Sequence, residues 1–227
     1  MSTRLLICFL AALFLMACTP KMPEGYKETL FPAGFESGPR PENYSYSTWF
    51  GRHLYSMQEE ALWSAELPEG EALVVRLLVL PTFSYPTVVR LNLSEDGEGG
   101  FVQKDTFGAG GYEAGRINNQ FAGSIPTQGV ARFRKVVRDL GFFEGKIANG
   151  FDEDVPLVGP NGEPVWGAAT DGTIVVLEFK SREDYFVLQR HEMEVRQSSR
   201  LGRLISEIAQ TGGNTPLTSL DVWRPAP

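Results

Sequence analysis

Thiols and imidazoles are scarce in this 227-residue sequence, which holds two cysteines and two histidines. Both cysteines, Cys8 and Cys18, fall within the first eighteen positions, so no thiol follows Cys18. A disulfide framework and a cysteine-ligated metal are thereby excluded from the body of the chain. His53 and His191 are far apart, which excludes a multi-histidine metal centre and argues against a two-histidine one. Positive charge is in deficit too: 21 basic against 28 acidic residues leave −7. That balance argues against nucleic acid as a partner, and against adhesion to an anionic lipid surface through charge. There is no Gly-x-Ser-x-Gly elbow, no phosphate-binding glycine loop ending in Lys-Ser or Lys-Thr, and no repeat at solenoid or propeller periods. No cofactor is implied.

What is present begins at the first residue. Arg4 gives a short positive start, and Leu5–Ala17 is an unbroken apolar run. As a helix, 13 residues extend about 20 Å at roughly 1.5 Å each. This is short of a hydrocarbon core of about 30 Å and suits the apolar region of a signal peptide. The run closes on Leu15-Met16-Ala17-Cys18, which resembles the lipobox of bacterial lipoproteins. The resemblance implies cleavage before Cys18, a thioether-linked diacylglycerol on its sulfur and acylation of the freed amine. Several acyl chains on one residue anchor a protein stably, where one chain anchors it marginally. In Gram-negative lipoproteins an aspartate directly after the cysteine favours the inner membrane. Thr19 stands there, so for a Gram-negative host the resemblance implies the outer membrane, facing the periplasm. Loss of Arg4 with the signal leaves 20 basic against 28 acidic residues, or −8.

Residues 1–17 thus read as signal peptide and 18–53 as lipidated N-terminus, tether and extended arm. Residues 54–212 read as one α+β domain and 213–227 as a tail. Pro20, Pro23, Pro32, Pro39 and Pro41 favour extended chain over 19–40, while Tyr44, Tyr46, Trp49 and Phe50 suggest that 41–53 lies against the domain. Residues 54–65 have the spacing of a short amphipathic helix. Strands follow at 73–80, 87–93, 101–107 and 115–124, then a helix capped by Thr127, with Val130, Phe133, Val136, Val137 and Leu140 on one face and Gly141 at its end. Residues 144–170 read as a long loop. Strands at 173–179 and 185–191 form a hairpin, and a helix at 199–210 carries Leu201, Leu204, Ile205 and Ile208 in helical spacing. The order ββββ-α-ββ-α predicts α+β, a mostly antiparallel sheet of about six strands with two amphipathic helices.

From about Glu59 to Gln210 the chain resembles a widespread group of uncharacterised exported bacterial proteins. The matching pieces are Leu62-Trp63, Arg76, Thr82-Phe83, Pro86, Arg90, Gly108-Ala109-Gly110-Gly111-Tyr112-Glu113-Ala114-Gly115, Gly141-Phe142-Phe143, Asp171-Gly172, Leu177-Glu178, Tyr185 and Arg190. The resemblance implies a domain and no activity. The chain departs from the pattern where Phe186, Ser84 and Tyr85 replace histidines, and where Val175 and His191 replace tryptophans. A mechanism needing those histidines is put in doubt by the departures.

Candidate chemistry is sparse. The glycines at 108–111 precede a strand, so they read as a bulge or bend needing positive φ, with Tyr112 packed over it. Asp152-Glu153-Asp154 offers oxygens for calcium but lacks the EF-hand alternation, which favours a solvated acidic loop. A hairpin centred on Phe83 sets Arg76 opposite Arg90, and a later turn at Arg182-Glu183 is expected to bring Glu178 near Gln189 and Arg190. Like charges opposed across strands need an acid or a ligand between them. Arg76, Arg90, Glu178 and Arg190 are therefore the candidate cluster, either an anion-binding site or, preferably, a structural ion-pair network. No residue is assigned a catalytic or metal-binding role. The reading is a lipid-anchored envelope lipoprotein acting as a binding or interaction module. It is held to the membrane through Cys18 and has an envelope protein as candidate partner. The alternatives are an envelope hydrolase using carboxylates such as Asp171 and Glu178, and a structural subunit of an envelope assembly. A pocket holding two carboxylates favours the enzyme, and an exposed apolar patch favours a partner surface.

Overall fold

The computed structural model describes residues 25–26, 30–32, 35, 46–139, 172–192, 195 and 199–211. Outside the described residues lie the signal segment with Cys18, most of the tether, Leu140, Gly141-Phe142-Phe143, the loop with Asp152-Glu153-Asp154, Asp171, and the tail. In chain order the elements are helix α1 (Tyr46–Ser56), a 3-10 turn (Leu62–Ser64), and strands β1 (Glu71–Pro81), β2 (Thr87–Ser94), β3 (Gly99–Ala109) and β4 (Glu113–Ile125). Then come α2 (Thr127–Asp139), β5 (Thr173–Ser181), β6 (Tyr185–His191) and α3 (Ser199–Thr211).

The strands form one antiparallel sheet in the order β4-β3-β2-β1-β5-β6, so the fold is α+β. β1 is central, and its continuous apolar run is buried on both faces for that reason. One face carries Leu73, Val75, Leu77 and Val79 against α2, through Val130, Phe133, Val136 and Val137, and against α3, through Leu201, Leu204, Ile205 and Ile208. The other face carries Leu78, Leu80, Val88, Val176 and Val187 against Phe50, Leu54 and Met57. Burying a side chain of this size stabilises a fold by about 1.5–3 kcal/mol before ordering costs.

Two local expectations change. Residues 46–53 are helical rather than an extended arm, and α1 ends at Ser56 instead of running to 65. Phe50, His53, Leu54 and Met57 recur at i, i+3, i+4 and i+7, and all four are fully buried. That apolar stripe outweighs the proline-rich lead-in, whose last proline is Pro41. Leu30, Phe31 and Phe35, inside the segment read as tether, are buried in the same core, with Phe31 stacked on Phe35 at 4.7 Å. Thr127 is the first residue of α2 rather than its cap, because the Pro126 carbonyl already accepts a bond from Val130 N.

Candidate functional site

The register across the sheet builds a row of charge. Arg76 on β1 stands opposite Arg90 on β2 and opposite Glu178 on β5. Lys104 on β3 faces Val88, one diagonal step from Arg90. Strand side chains alternate, so all four share the α1 face with Leu78, Val88 and Val176. Arg76 grips Glu178 with two parallel bonds, Nε to Oε2 at 2.6 Å and Nη2 to Oε1 at 2.8 Å. Its Nη1 donates to the Glu60 carbonyl at 2.6 Å.

A second carboxylate enters from outside the sheet. Glu59 Oε2 accepts from Arg90 Nη1 at 2.9 Å, its Oε1 accepts from Lys104 Nζ at 2.7 Å, and Arg76 Nη1 lies 3.7 Å away. The end of α1 aims it there. Gln58 N–H donates to the Tyr55 carbonyl and Glu59 N–H to the Leu54 carbonyl, the paired bonds of a Schellman ending. Gln58 takes the left-handed position at φ 57°, where glycine is usual, at a cost of about 1–2 kcal/mol for a residue with a Cβ. Lys104 offsets that strain by donating to the Met57 carbonyl at 2.7 Å as well as to Glu59.

The cluster therefore holds three cations, two carboxylates and the Tyr185 hydroxyl, which donates to Glu178 Oε1 at 2.8 Å. Burial opposes the charge on Arg76, but Glu178, and behind it Glu59, outweigh it and hold its pKa above the ordinary value. Burial, and then the negative Glu178, push the Tyr185 phenol up, so its proton stays in that bond. Both carboxylates are fully enclosed, and solvent reaches the cluster at Arg90, with 29% of its side chain exposed, and at the half-buried Tyr185. An acid occupied by arginine and sealed from water cannot exchange a proton with substrate. The cluster welds α1 to five strands.

Arg190 does not join it. The tight turn pairs Lys180 with Tyr185, which sets Val187 opposite Glu178 and Arg190 opposite Val175. Arg190 therefore lies on the α2–α3 face, where its Nη1 donates to the Gln189 carbonyl at 2.7 Å. Glu59, Lys104 and Tyr185 were missed in the sequence. The β2–β3 turn at 95–98 puts Lys104 on the Arg90 face, so its place was legible; nothing local marked Glu59.

The opposite polarity gathers at one end of the sheet. The loop of residues 82–86 is tied to the turn of residues 110–112 by Gly110 N–H to Ser84 O at 3.1 Å and Gly111 N–H to Thr82 O at 3.3 Å. α1 braces the turn, with Trp49 Nε1 donating to Gly110 O at 2.8 Å and Arg52 Nη2 to Tyr112 O at 2.7 Å. A Cβ on Gly110 would meet Leu80 Cα at 2.6 Å, so only glycine fits there. Gly108, at φ 103°, sits beside a register shift in the β3–β4 pairing, the bulge expected of this segment. Tyr112 leans on Phe83, 5.8 Å between centroids, and Tyr85 meets Phe107 edge-on at 5.9 Å. The Arg116 guanidinium lies 5.4 Å from the Phe107 ring centre. Phe83 is 71% exposed, Tyr112 53% and Tyr85 50%.

His53 is the buried titratable group beside this end. Burial, then the neighbouring Arg52, lower its pKa to about 3, so the ring is neutral. Gly110 faces the imidazole, but its carbonyl serves Trp49, and neither ring nitrogen has a hydrogen bond of sound geometry. Among the described residues no group of three or more His, Cys, Asp or Glu side chains could hold a metal. An open cleft of about 420 Å³ beside α2 holds one carboxylate, Glu95, paired with Arg182 at 3.3 Å. No protein-family model matches the chain, and no curated protein matches it significantly.

Proposed function

We propose that this chain is a membrane-anchored envelope lipoprotein, acylated on Cys18, whose domain works as a binding module through the aromatic end of its sheet. The observation that carries the reading is the exposed group Phe83, Tyr85, Phe107 and Tyr112, held in place by α1. Aromatic side chains left in water at a braced loop pair are the features of a contact surface. The hydrolase alternative loses its described acid, since Glu178 is buried and taken by Arg76 and Tyr185. The test is a photo-crosslinking amino acid at position 83 in native envelopes, with a control at Lys135 on α2. Position 83 should capture a defined envelope component, lipid or protein, that Lys135 does not. Equal capture at both positions sinks the reading.

A further inference from the structure

Gly25 and Tyr26 lie against α1. A Cβ on Gly25 would meet the Tyr55 hydroxyl at 2.9 Å, the Tyr26 hydroxyl donates to Ser47 O at 3.3 Å, and its ring meets Tyr55 edge-on at 5.6 Å. Seven Cα-to-Cα steps, through six intervening residues, separate Gly25 from Cys18. Fully extended they reach about 24 Å. A domain of this length is about 40 Å across. The leash is thus shorter than the body it holds, and a lipid on Cys18 can bring only the surface around Gly25 to the membrane.

The aromatic end neighbours that surface across α1. Tyr26 packs on the Ser47–Gly51–Tyr55 side of α1, while Trp49 and Arg52 on its other side hold the turn that carries Tyr112. Only the thickness of one helix, about 10 Å, separates the two. The α2–α3 layer lies across the sheet and faces away. We propose that Phe83, Tyr85, Phe107 and Tyr112 rest in the lipid–water interface of the bilayer that holds Cys18. This rests on the lipoprotein reading above.

The chemistry suits that occupant. Tyr85 and Tyr112, with a polar edge, suit the headgroup level, and Phe83 and Phe107 suit the acyl boundary just beneath it. Arg116 beside Phe107 can bury its stem and keep its guanidinium at the phosphates. The anchor keeps the bilayer at high effective concentration, so four exposed rings suffice where a free protein would need a larger surface. The mature chain's charge of −8 makes this contact aromatic rather than electrostatic.

The experiment uses the absence of any thiol after Cys18. The acylated full chain, carrying Phe83→Cys, Tyr85→Cys, Tyr112→Cys or Lys135→Cys, is labelled with an environment-sensitive fluorophore and reconstituted into phosphatidylcholine vesicles containing spin-labelled lipid. Labels at 83, 85 and 112 should be quenched several-fold more than at 135, with no loss when salt is raised. An acylated chain quenched alike at all four positions overturns the proposal and leaves the anchor standing. So does low quenching everywhere when a crosslinker at 83 captures a protein. A chain whose intact mass lacks acyl groups overturns the anchor, and this proposal with it.

Discussion

Glu59 lies among three cations and Glu178 is gripped by Arg76, and neither carboxylate touches water. Ions so enclosed interact strongly, yet taking them out of water costs several kcal/mol apiece. The worth of the Arg76–Glu178 pair lies mainly in what happens when half of it is removed. Arg76→Met or Glu178→Leu alone should cost about 3–5 kcal/mol in urea unfolding, because one uncompensated charge stays buried. The double variant should lose less than the two losses added. Strictly additive losses would mean that the two side chains do not act as a pair. The position of Arg76 opposite Arg90 follows from the first hairpin alone, whereas the acid between the pair and Lys104 comes from a loop. A residue's role in this cluster depends on neighbours some 7 to 102 positions away.

Among the elements, α1 joins the most functions. Its buried stripe completes the second core, its C-terminal turn delivers Glu59, and its outer side chains brace the aromatic loops. It also carries a titration. His53 has a folded pKa of about 3, below the ordinary value of 6.5 that it recovers on unfolding. Above pH 6.5 the ring is neutral in both states and pH has no effect through it. As pH falls from 6.5 towards 3 the unfolded chain binds a proton that the native chain refuses, and stability is lost. Between pH 7 and pH 5 that loss is about 2 kcal/mol. Urea unfolding of the native chain should show that decline, and His53→Leu should flatten it. An unchanged slope in the variant would place the proton elsewhere. α1 was only half legible: its i, i+3, i+4 stripe is in the sequence, but the aromatic lead-in resembles extended chain just as well.

At the scale of the whole molecule, the lipoprotein reading makes the proposed lipid on Cys18 decide which side of the domain meets a surface. No helix among the described residues is long and apolar enough to cross a membrane. Cys18→Ala should remove every acyl group, seen by mass spectrometry as loss of the acyl-bearing peptide, and leave the unfolding midpoint of the domain unchanged. A wild-type chain bearing no acyl mass would refute the anchor. The same molecule separates its two chemistries: ions are sealed between the sheet and α1, and aromatics are exposed at the strand ends.

The sequence by itself determined the antiparallel α+β architecture, since alternation, glycine turns and helical spacing are local and short-ranged. It determined the first hairpin's register too, because a turn centred on Phe83 leaves one partner for Arg76. The leader and Cys18 likewise read directly from a linear pattern, as expectations. Arg190 also stands apart from Glu178 for a local reason, since a turn centred on Arg182-Glu183 pairs Glu178 with Val187 and sets Arg190, three residues on, on the other face. Only the tertiary structure could bring Glu59 from the end of a helix, and pair Phe83 with Tyr112 and Tyr85 with Phe107 from two loops and the end of β3. Contacts across a sheet depend on how layers pack, and that packing is settled by the chain as a whole.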